Sequence, residues 1–221
     1  MDIKPIAYIK TDFCEKFGIP RQSGRVKELI GRVEFIDEFK NPEVIKGIEE
    51  YSHLWLIFGF SKARYKEKTM TVRPPRLGGN KRVGIFASRS PYRPNSLGLS
   101  CVKLERVENG SLVVSGVDLL NDTPIYDIKP YIPYSDCVLD ACGSFGESNK
   151  NHALKVNFAP EFLNILPNDK QLAAIKCLED DPRPSYQQDG RAYSMLFAGF
   201  DIHFIVKDDV LTVTGIDKKS L

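Results

Sequence analysis

The chain has 221 residues, enough for one large domain or a main domain with a small companion. Its 42% hydrophobic and 27% charged content, with a net charge of only +2, is ordinary for a soluble globular protein. No apolar run approaches the roughly 20 residues of a membrane helix, and MDIKPIAYIKTDF lacks the features of a signal peptide, so a cytoplasmic protein is expected.

In chain order, residues 3–10 (IKPIAYIK) predict a short strand, and Phe13 to Gly24 a loop ending FGIPRQSG. GRVEFID, from Gly31, alternates and predicts a second strand. NPEVIKGIEEYSH, from Asn41, has Pro42 at a first helical position. Val44, Ile45, Ile48 and Tyr51 follow at helical spacing, which predicts a helix. HLWLIFGF, His53 to Phe60, is a continuous, aromatic-rich apolar run and predicts a central strand.

RPPRLGGNKR, Arg73 to Arg82, is loop by its prolines and glycines. VGIFA and LGLSCVKLERVE predict strands. Asn109–Gly110 predicts a turn into GSLVVSGVDLL, and NDTPIYDIKPYIPYSD a loop and strand. Short strands separated by turns argue for an all-β barrel or sandwich to about residue 140.

The polar stretch Ser144 to Ala153 predicts a linker. APEFLNILPNDKQLAAIKCLEDD predicts helix, capped at Asn168 or Asp169, with Leu172, Ile175, Cys177 and Leu178 inward. YSMLFAGFDIHFIVKDDVLTVTGI predicts a hairpin turning at Asp208–Asp209. This tail reads as a small α+β domain over 153–221, following a domain over 1–143.

Charge is uneven along the chain. Residues 62–93 carry ten Lys or Arg against the single acid Glu67, a net of +9. Such a concentration suits a phosphate-rich partner such as nucleic acid, or else marks a solvated basic loop. Three loops rich in proline and glycine stand beside apolar strands: IPRQSGR, RPPRLGGNKR and SRSPYRPNSLG. If the strands close into one barrel, such loops can gather at one opening. Arg89 and Arg93 offer planar forks for carboxylate or phosphate. Alternatively they are paired internally with Asp118 or Asp122.

Cys14, Cys101, Cys137, Cys142 and Cys177 show no C-x-x-C pair and read as reduced, mostly core-filling thiols. His53, His152 and His203 are scattered, so no metal site is expected. There is no phosphate-binding G-x-x-x-x-G-K-[ST], G-x-S-x-G or H-E-x-x-H. No G-x-G-x-x-G follows a strand, so a Rossmann site is not indicated. Residue by residue, the reading stops at a barrel-like domain with a basic loop cluster that binds an anionic or nucleotide-like ligand.

Longer strings carry more. PRQSG, SHLW, TVRPPRLGGNKRVGIFASRSPYRPNSLGLS, DLLNDTPIYDIKPYIPYSD and DPRPSY resemble the TsaA-like tRNA methyltransferases, and among them the bacterial type. The resemblance implies a mainly β chain: an antiparallel β-barrel domain with a small α+β C-terminal domain. It implies an S-adenosylmethionine-dependent enzyme that methylates N6 of threonylcarbamoyl-adenosine at position 37, beside the tRNA anticodon, and a homodimer.

Carried over position by position, the cofactor site uses Pro20, Arg21 and Gln22, or the adjoining Ser23 to Arg25. It uses Ser61 and Lys62, where bacterial relatives often carry His-Gln, together with Arg89 and Leu99. It also uses Asp122, Thr123, Pro124 and Ile125, where many relatives have Asp-Gly-Thr-Pro in place of Asn-Asp-Thr-Pro. Asp is acceptable at that turn if it requires positive φ. Lys81, Arg82 and Arg93 are expected to meet tRNA phosphate or the modification's carboxylate. Tyr92 or Tyr126 can stack on a base of the single-stranded anticodon loop. Asp127 is a candidate base for the N6 proton, although the catalytic group is not fixed. The rival reading is a barrel that binds S-adenosylmethionine or RNA without catalysis.

Overall fold

The computed structural model describes residues 2–63, 70–74, 81–143, 152–183 and 189–219. Residues 64–69, 75–80, 144–151 and 184–188 lie outside that range, and with them most of the expected linker and part of the Arg73–Arg82 loop. The strands are β1 (Ala7–Lys10), β2 (Ile30–Phe35), β3 (His53–Gly59), β4 (Thr71–Val72), β5 (Val83–Gly84) and β6 (Leu97–Glu108). Then come β7 (Ser111–Ser115), β8 (Thr123–Pro130), β9 (Lys155–Asn157), β10 (Ala192–Phe197), β11 (Phe200–Lys207) and β12 (Val210–Lys218). The helices are α1 (Pro133–Asp136), α2 (Pro160–Leu163) and α3 (Asn168–Glu179).

Six strands close into an antiparallel barrel in the order β1-β2-β7-β6-β3-β8. Alternation selects its interior. On β3, Leu54, Leu56 and Phe58 turn inward, and on β6, Ser100, Val102 and Leu104 do so. The opposite face of β3 carries Trp55 and Ile57, which makes the run read as continuously apolar. Trp55 packs against Tyr131, with ring centroids 5.6 Å apart. As expected for a central strand, β3 pairs on both sides, with β6 and β8.

The β6–β7 turn has φ +53° at Asn109 and +73° at Gly110, the double positive φ of a tight hairpin. Asp208 and Asp209 do the same between β11 and β12, at +49° and +58°. A third hairpin at Ala198–Gly199, between β10 and β11, lacks the Asn/Asp signal and was not expected from sequence.

Three expectations are corrected. Residues 41–51 form no α-helix. Short 3-10 turns stand at Pro42–Ile45 and Ile48–Glu50, because Gly47 at φ +80° breaks the run. In VGIFA only Val83–Gly84 is strand, and it pairs with β4; Ile85–Ala87 is a 3-10 turn that buries Ile85 and exposes Phe86. On α3, Pro167 occupies the N-cap without a side-chain cap. Ala173, Ala174, Cys177 and Leu178 form the buried face, while Leu172 is 54% exposed.

The second sheet runs β10-β11-β12-β9, with β9 parallel to β12. Residues 11–25 strap this sheet to the barrel. Phe13 meets Phe197 at 5.3 Å, and Phe17 stacks on Tyr193 and Phe204. The Ala198 amide donates to the Asp12 carbonyl at 2.9 Å, and Lys170 Nζ reaches the Asp12 carboxylate at 2.8 Å. Each fully buried aromatic here contributes about 1.5–3 kcal/mol. The cysteines are unpaired, but only Cys177 is buried, so the core-filling expectation holds for one of five. Among the described residues no helix is long and apolar enough to cross a membrane.

Candidate active site

Strand register gathers the loops. Gly59 pairs with Leu97, Ile9 with Thr123 and Ile30 with Ser115. The strap after β1, the chain between β3 and β6, and the turn between β7 and β8 therefore leave the same end of the barrel. The first two carry the proline-rich loops singled out from sequence. The residues after β8 leave at the other end, where the Tyr131 amide donates to the His53 carbonyl.

The strap is fixed at this mouth from both sides. Arg21 Nη2 donates to the Arg183 carbonyl at 2.6 Å, and Arg25 Nε donates to Asp180 at 2.5 Å. Both arginines of PRQSGR thus serve the segment that follows α3. Burial lowers the pKa of Arg21, partly offset by Asp180 and Asp181. On the barrel side, the Gly24 amide donates to the Gly116 carbonyl at 2.8 Å. Gly116 has φ +73°, and a Cβ there would stand 3.2 Å from Gly24 Cα, so both the turn and the close approach require glycine.

Between these anchors Gln22 faces the opening. Its Nε2 donates to the Arg21 carbonyl at 2.6 Å, which leaves Oε1 to accept from Arg89. Beneath them lies Asp118, in the turn after β7. The Ser100 hydroxyl, only 2% exposed, donates to Asp118 Oδ1 at 2.6 Å. Burial pushes the Asp118 carboxyl up to about 6, while hydrogen bonds from Ser100 and the amides of Asp118 and Ser23, and the charge of Arg89, pull the other way. Asp118 entered the sequence reading as an internal partner for an arginine and was not among the residues assigned to the cofactor site. The available signal was an acid set among the apolar residues of LVVSGVDLL.

The other expected residues are dispersed. Pro20 is buried in the strap. Ser61 and Lys62 are exposed. Lys62 Nζ donates to the Cys14 carbonyl at 3.1 Å, and Lys16 Nζ to the Lys62 carbonyl at 2.7 Å. Leu99 is 56% exposed on the barrel's outer face, opposite Ile57, with Asp127 next in that row. Asp127 caps the Ile128 amide and pairs with Lys129 at 3.0 Å. Asp122 has φ +60° and pairs with Lys10 at 2.5 Å, beside a shallow hollow lined by Tyr8 and Glu34. Thr123, Pro124 and Ile125 are buried in the wall, and Thr123 Oγ1 donates to the Leu120 carbonyl at 2.7 Å.

Lys81 and Arg82 are exposed, and Arg82 reaches Thr71 Oγ1 at 3.3 Å. Arg93 is folded into its own loop. Its Nη1 donates to the Ser88 carbonyl at 2.7 Å and to that of Ile85 at 3.3 Å, and its guanidinium lies 5.9 Å from the Phe86 ring centroid. Tyr92 is exposed; Tyr126 is half-buried against Gly59. Phe86, 78% exposed, went unnoticed because VGIFA read as a strand. No group of three or more potential metal ligands occurs among the described residues.

Residues 8–137 match the tRNA-methyltransferase O N-terminal domain, and residues 151–219 the TrmO C-terminal domain. The chain is 34% identical over 227 residues to the tRNA (adenine(37)-N6)-methyltransferase of Escherichia coli, covering 97% of each chain. It is 39% identical over 133 residues to a Pyrococcus abyssi protein named "Probable S-adenosyl-L-methionine-binding protein", covering 60% of this chain and 69% of that one. A crystal structure of TrmO from Pseudomonas aeruginosa superposes with a TM-score of 0.80 at 32% identity, covering 98% of both chains. Barrel, second sheet and matched sequence agree over nearly the full length: the chain belongs to the tRNA-methyltransferase O family.

Proposed function

We propose that the chain is an S-adenosylmethionine-dependent methyltransferase that modifies N6 of adenine 37 in tRNA, with its cofactor held at the barrel mouth between the strap and Arg89. The observation that carries the site is the Gln22–Arg89 contact above the buried Asp118. The donor set fits the cofactor. Arg89 matches its carboxylate, and the Gln22 amide its remaining polar atoms. When bound, S-adenosylmethionine supplies an electrophilic methyl on a sulfonium centre. Anchored at Arg183 and Asp180, the strap holds one side of the reaction in a fixed geometry, and alignment of that kind supplies much of the acceleration.

The substrate is threonylcarbamoyl-adenosine, whose urea-like N6 proton is more acidic than that of adenosine, so a weak base suffices. Lys81 and Arg82 face outward for phosphate, and Phe86 and Tyr92 offer exposed rings for the unpaired bases of the anticodon loop. Arg93 supports this by stapling the loop that presents them. The enzyme works in the cytoplasm, where its tRNA lies, as two domains over 1–143 and 153–221. It pairs as a homodimer. Leu99, Tyr134, Val138 and Leu139 are exposed apolar side chains that a partner copy would cover, Tyr134 at 93% and Leu139 at 95%.

The test is transfer of a labelled methyl group to tRNA with and without the threonylcarbamoyl group. Label at N6 of adenosine 37 is expected only in the modified tRNA. Equal transfer to both would overturn the substrate assignment, and tight cofactor binding with no transfer to either would favour the non-catalytic binding module.

A further inference from the structure

We propose that Asp118 is a positioning residue for the cofactor site: its carboxylate ties the barrel wall, through Ser100, to the strap, through the Ser23 amide, and sets the charge that Arg89 faces. This inference rests on the reading that places the cofactor between Gln22 and Arg89.

The backbone around Asp118 is fixed before its side chain is considered. The Gly116 amide donates to the Leu29 carbonyl at 2.9 Å, and its carbonyl accepts from Gly24 at 2.8 Å. Val117 and Leu119 on either side are buried. The carboxyl is therefore held under the strap, where two elements and one loop converge. Ser100 donates from β6, and the Ser23 amide of the strap and the charge of Arg89, on the loop before β6, both favour the ionised carboxylate. Arg89 is the charged group that faces it; Arg21 and Arg25 of the strap are committed to Arg183 and Asp180.

A neutral acceptor would satisfy Ser100 as well as a carboxylate does. A carboxylate in this setting is costly, since burial holds its proton on up to about pH 6. The ionised form does what a neutral one does not. Its two oxygens accept from Ser100 and Ser23 together, and its charge draws the guanidinium of Arg89 towards Gln22. A relay results: the Arg183 carbonyl fixes Arg21, the Arg21 carbonyl fixes Gln22, and Gln22 and Asp118 together fix Arg89. Each link alone is an ordinary hydrogen bond or charge contact. Together they set the spacing between the two walls of the mouth.

The experiment compares the full-length wild type with Asp118→Asn, Ser100→Ala and Arg89→Ala. Equilibrium dialysis of labelled S-adenosylmethionine, kcat and KM with modified tRNA, and thermal melting are measured between about pH 5.5 and 7.5. Asp118→Asn is expected to raise the cofactor's Kd and KM about tenfold at the upper pH while kcat changes less than about threefold. Wild-type affinity is expected to fall towards that level as pH drops through about 6, whereas Asp118→Asn stays flat and melts no lower than wild type at the upper pH. Ser100→Ala removes a bond that favours the ionised form, so the acid limb moves to higher pH.

Wild-type affinity and an unmoved acid limb in Asp118→Asn would overturn the inference. So would a variant that melts well below wild type with kcat and KM unchanged. Arg89→Ala separates the two readings. If it binds cofactor normally, the site itself is misplaced and the inference falls with it. If it binds weakly while Asp118→Asn binds normally, only the role of Asp118 is overturned.

Discussion

Two loops form the mouth of the barrel, and they are held in opposite ways. The strap of residues 11–25 is tied on both sides: by Phe13 and Phe17 to the second sheet and by Arg21 and Arg25 to the segment after α3, and by Gly24 to the barrel. The loop of residues 85–96 is tied mainly to itself. Ser88 Oγ and Arg93 Nη1 both donate to the Ile85 carbonyl, Arg93 also holds the Ser88 carbonyl, and the Ser96 amide returns to the Arg93 carbonyl at 3.1 Å. Among the described residues, the side-chain bond that crosses between the loops is Arg89 to Gln22. One wall is pre-organised by the rest of the protein. The other is a self-closed knuckle that presents Phe86 and Tyr92 outward. The pairing suits a site where a small cofactor needs a rigid wall and a large RNA an accessible one.

The contrast can be broken from the strap side first. Asp180→Ala removes the carboxylate that Arg25 reaches, in a pair whose side chains are largely buried, and is expected to cost about 3 kcal/mol in urea unfolding. A loss below about 0.5 kcal/mol would mean that the strap is not held by the segment after α3.

The charge beneath the strap gives the next effect. The folded Asp118 carboxyl keeps its proton to about 6 against an ordinary 3.8, so it favours folding fully below 3.8 and that contribution is lost as pH rises through 6. Going from pH 4 to pH 7, the unfolding free energy of Asp118→Asn should gain about 2–3 kcal/mol on wild type. A constant difference would show that the carboxyl is not buried as described.

Gly116→Val places a side chain against Gly24 at φ +73° and should cost about 2 kcal/mol, read from the same unfolding curves. The smallest effect belongs to the basic residues just before the knuckle. Lys81→Ala with Arg82→Ala should leave stability within about 0.5 kcal/mol. It should weaken tRNA binding a few-fold and lower the salt slope by about 2. A change in cofactor affinity instead would blur the division between the two walls.

Much of the frame was readable from residues. Asn109–Gly110 and Asp208–Asp209 carry turn chemistry that needs no tertiary help; a partly clean alternation predicted β6, and the first of these turns placed β7. Residues 41–51 misled because apolar spacing was weighed without the break at Gly47. Ile45 and Ile48 satisfy that spacing by packing on the core from 3-10 turns. The site was legible as a set of loops and not as an arrangement. PRQSGR reads as a run of cofactor contacts, Pro20 to Gln22 or Ser23 to Arg25, with nothing to choose among them. Only the fold reveals that Arg21 and Arg25 turn away to the segment after α3, leaving Gln22 as the residue at the mouth. Asp118 was obscure for the same reason, since its meaning depends on Ser23, Arg89 and Ser100 arriving from three separate segments.

The placement of the cofactor is the central claim, and a crystal structure with bound S-adenosylhomocysteine tests it most directly. The account predicts the ligand's amino-acid end within about 3.5 Å of Arg89 or Gln22, above Asp118. A ligand bound on the outer face of β3 and β6, with Arg89 and Gln22 still bonded to each other and untouched by it, would contradict the account.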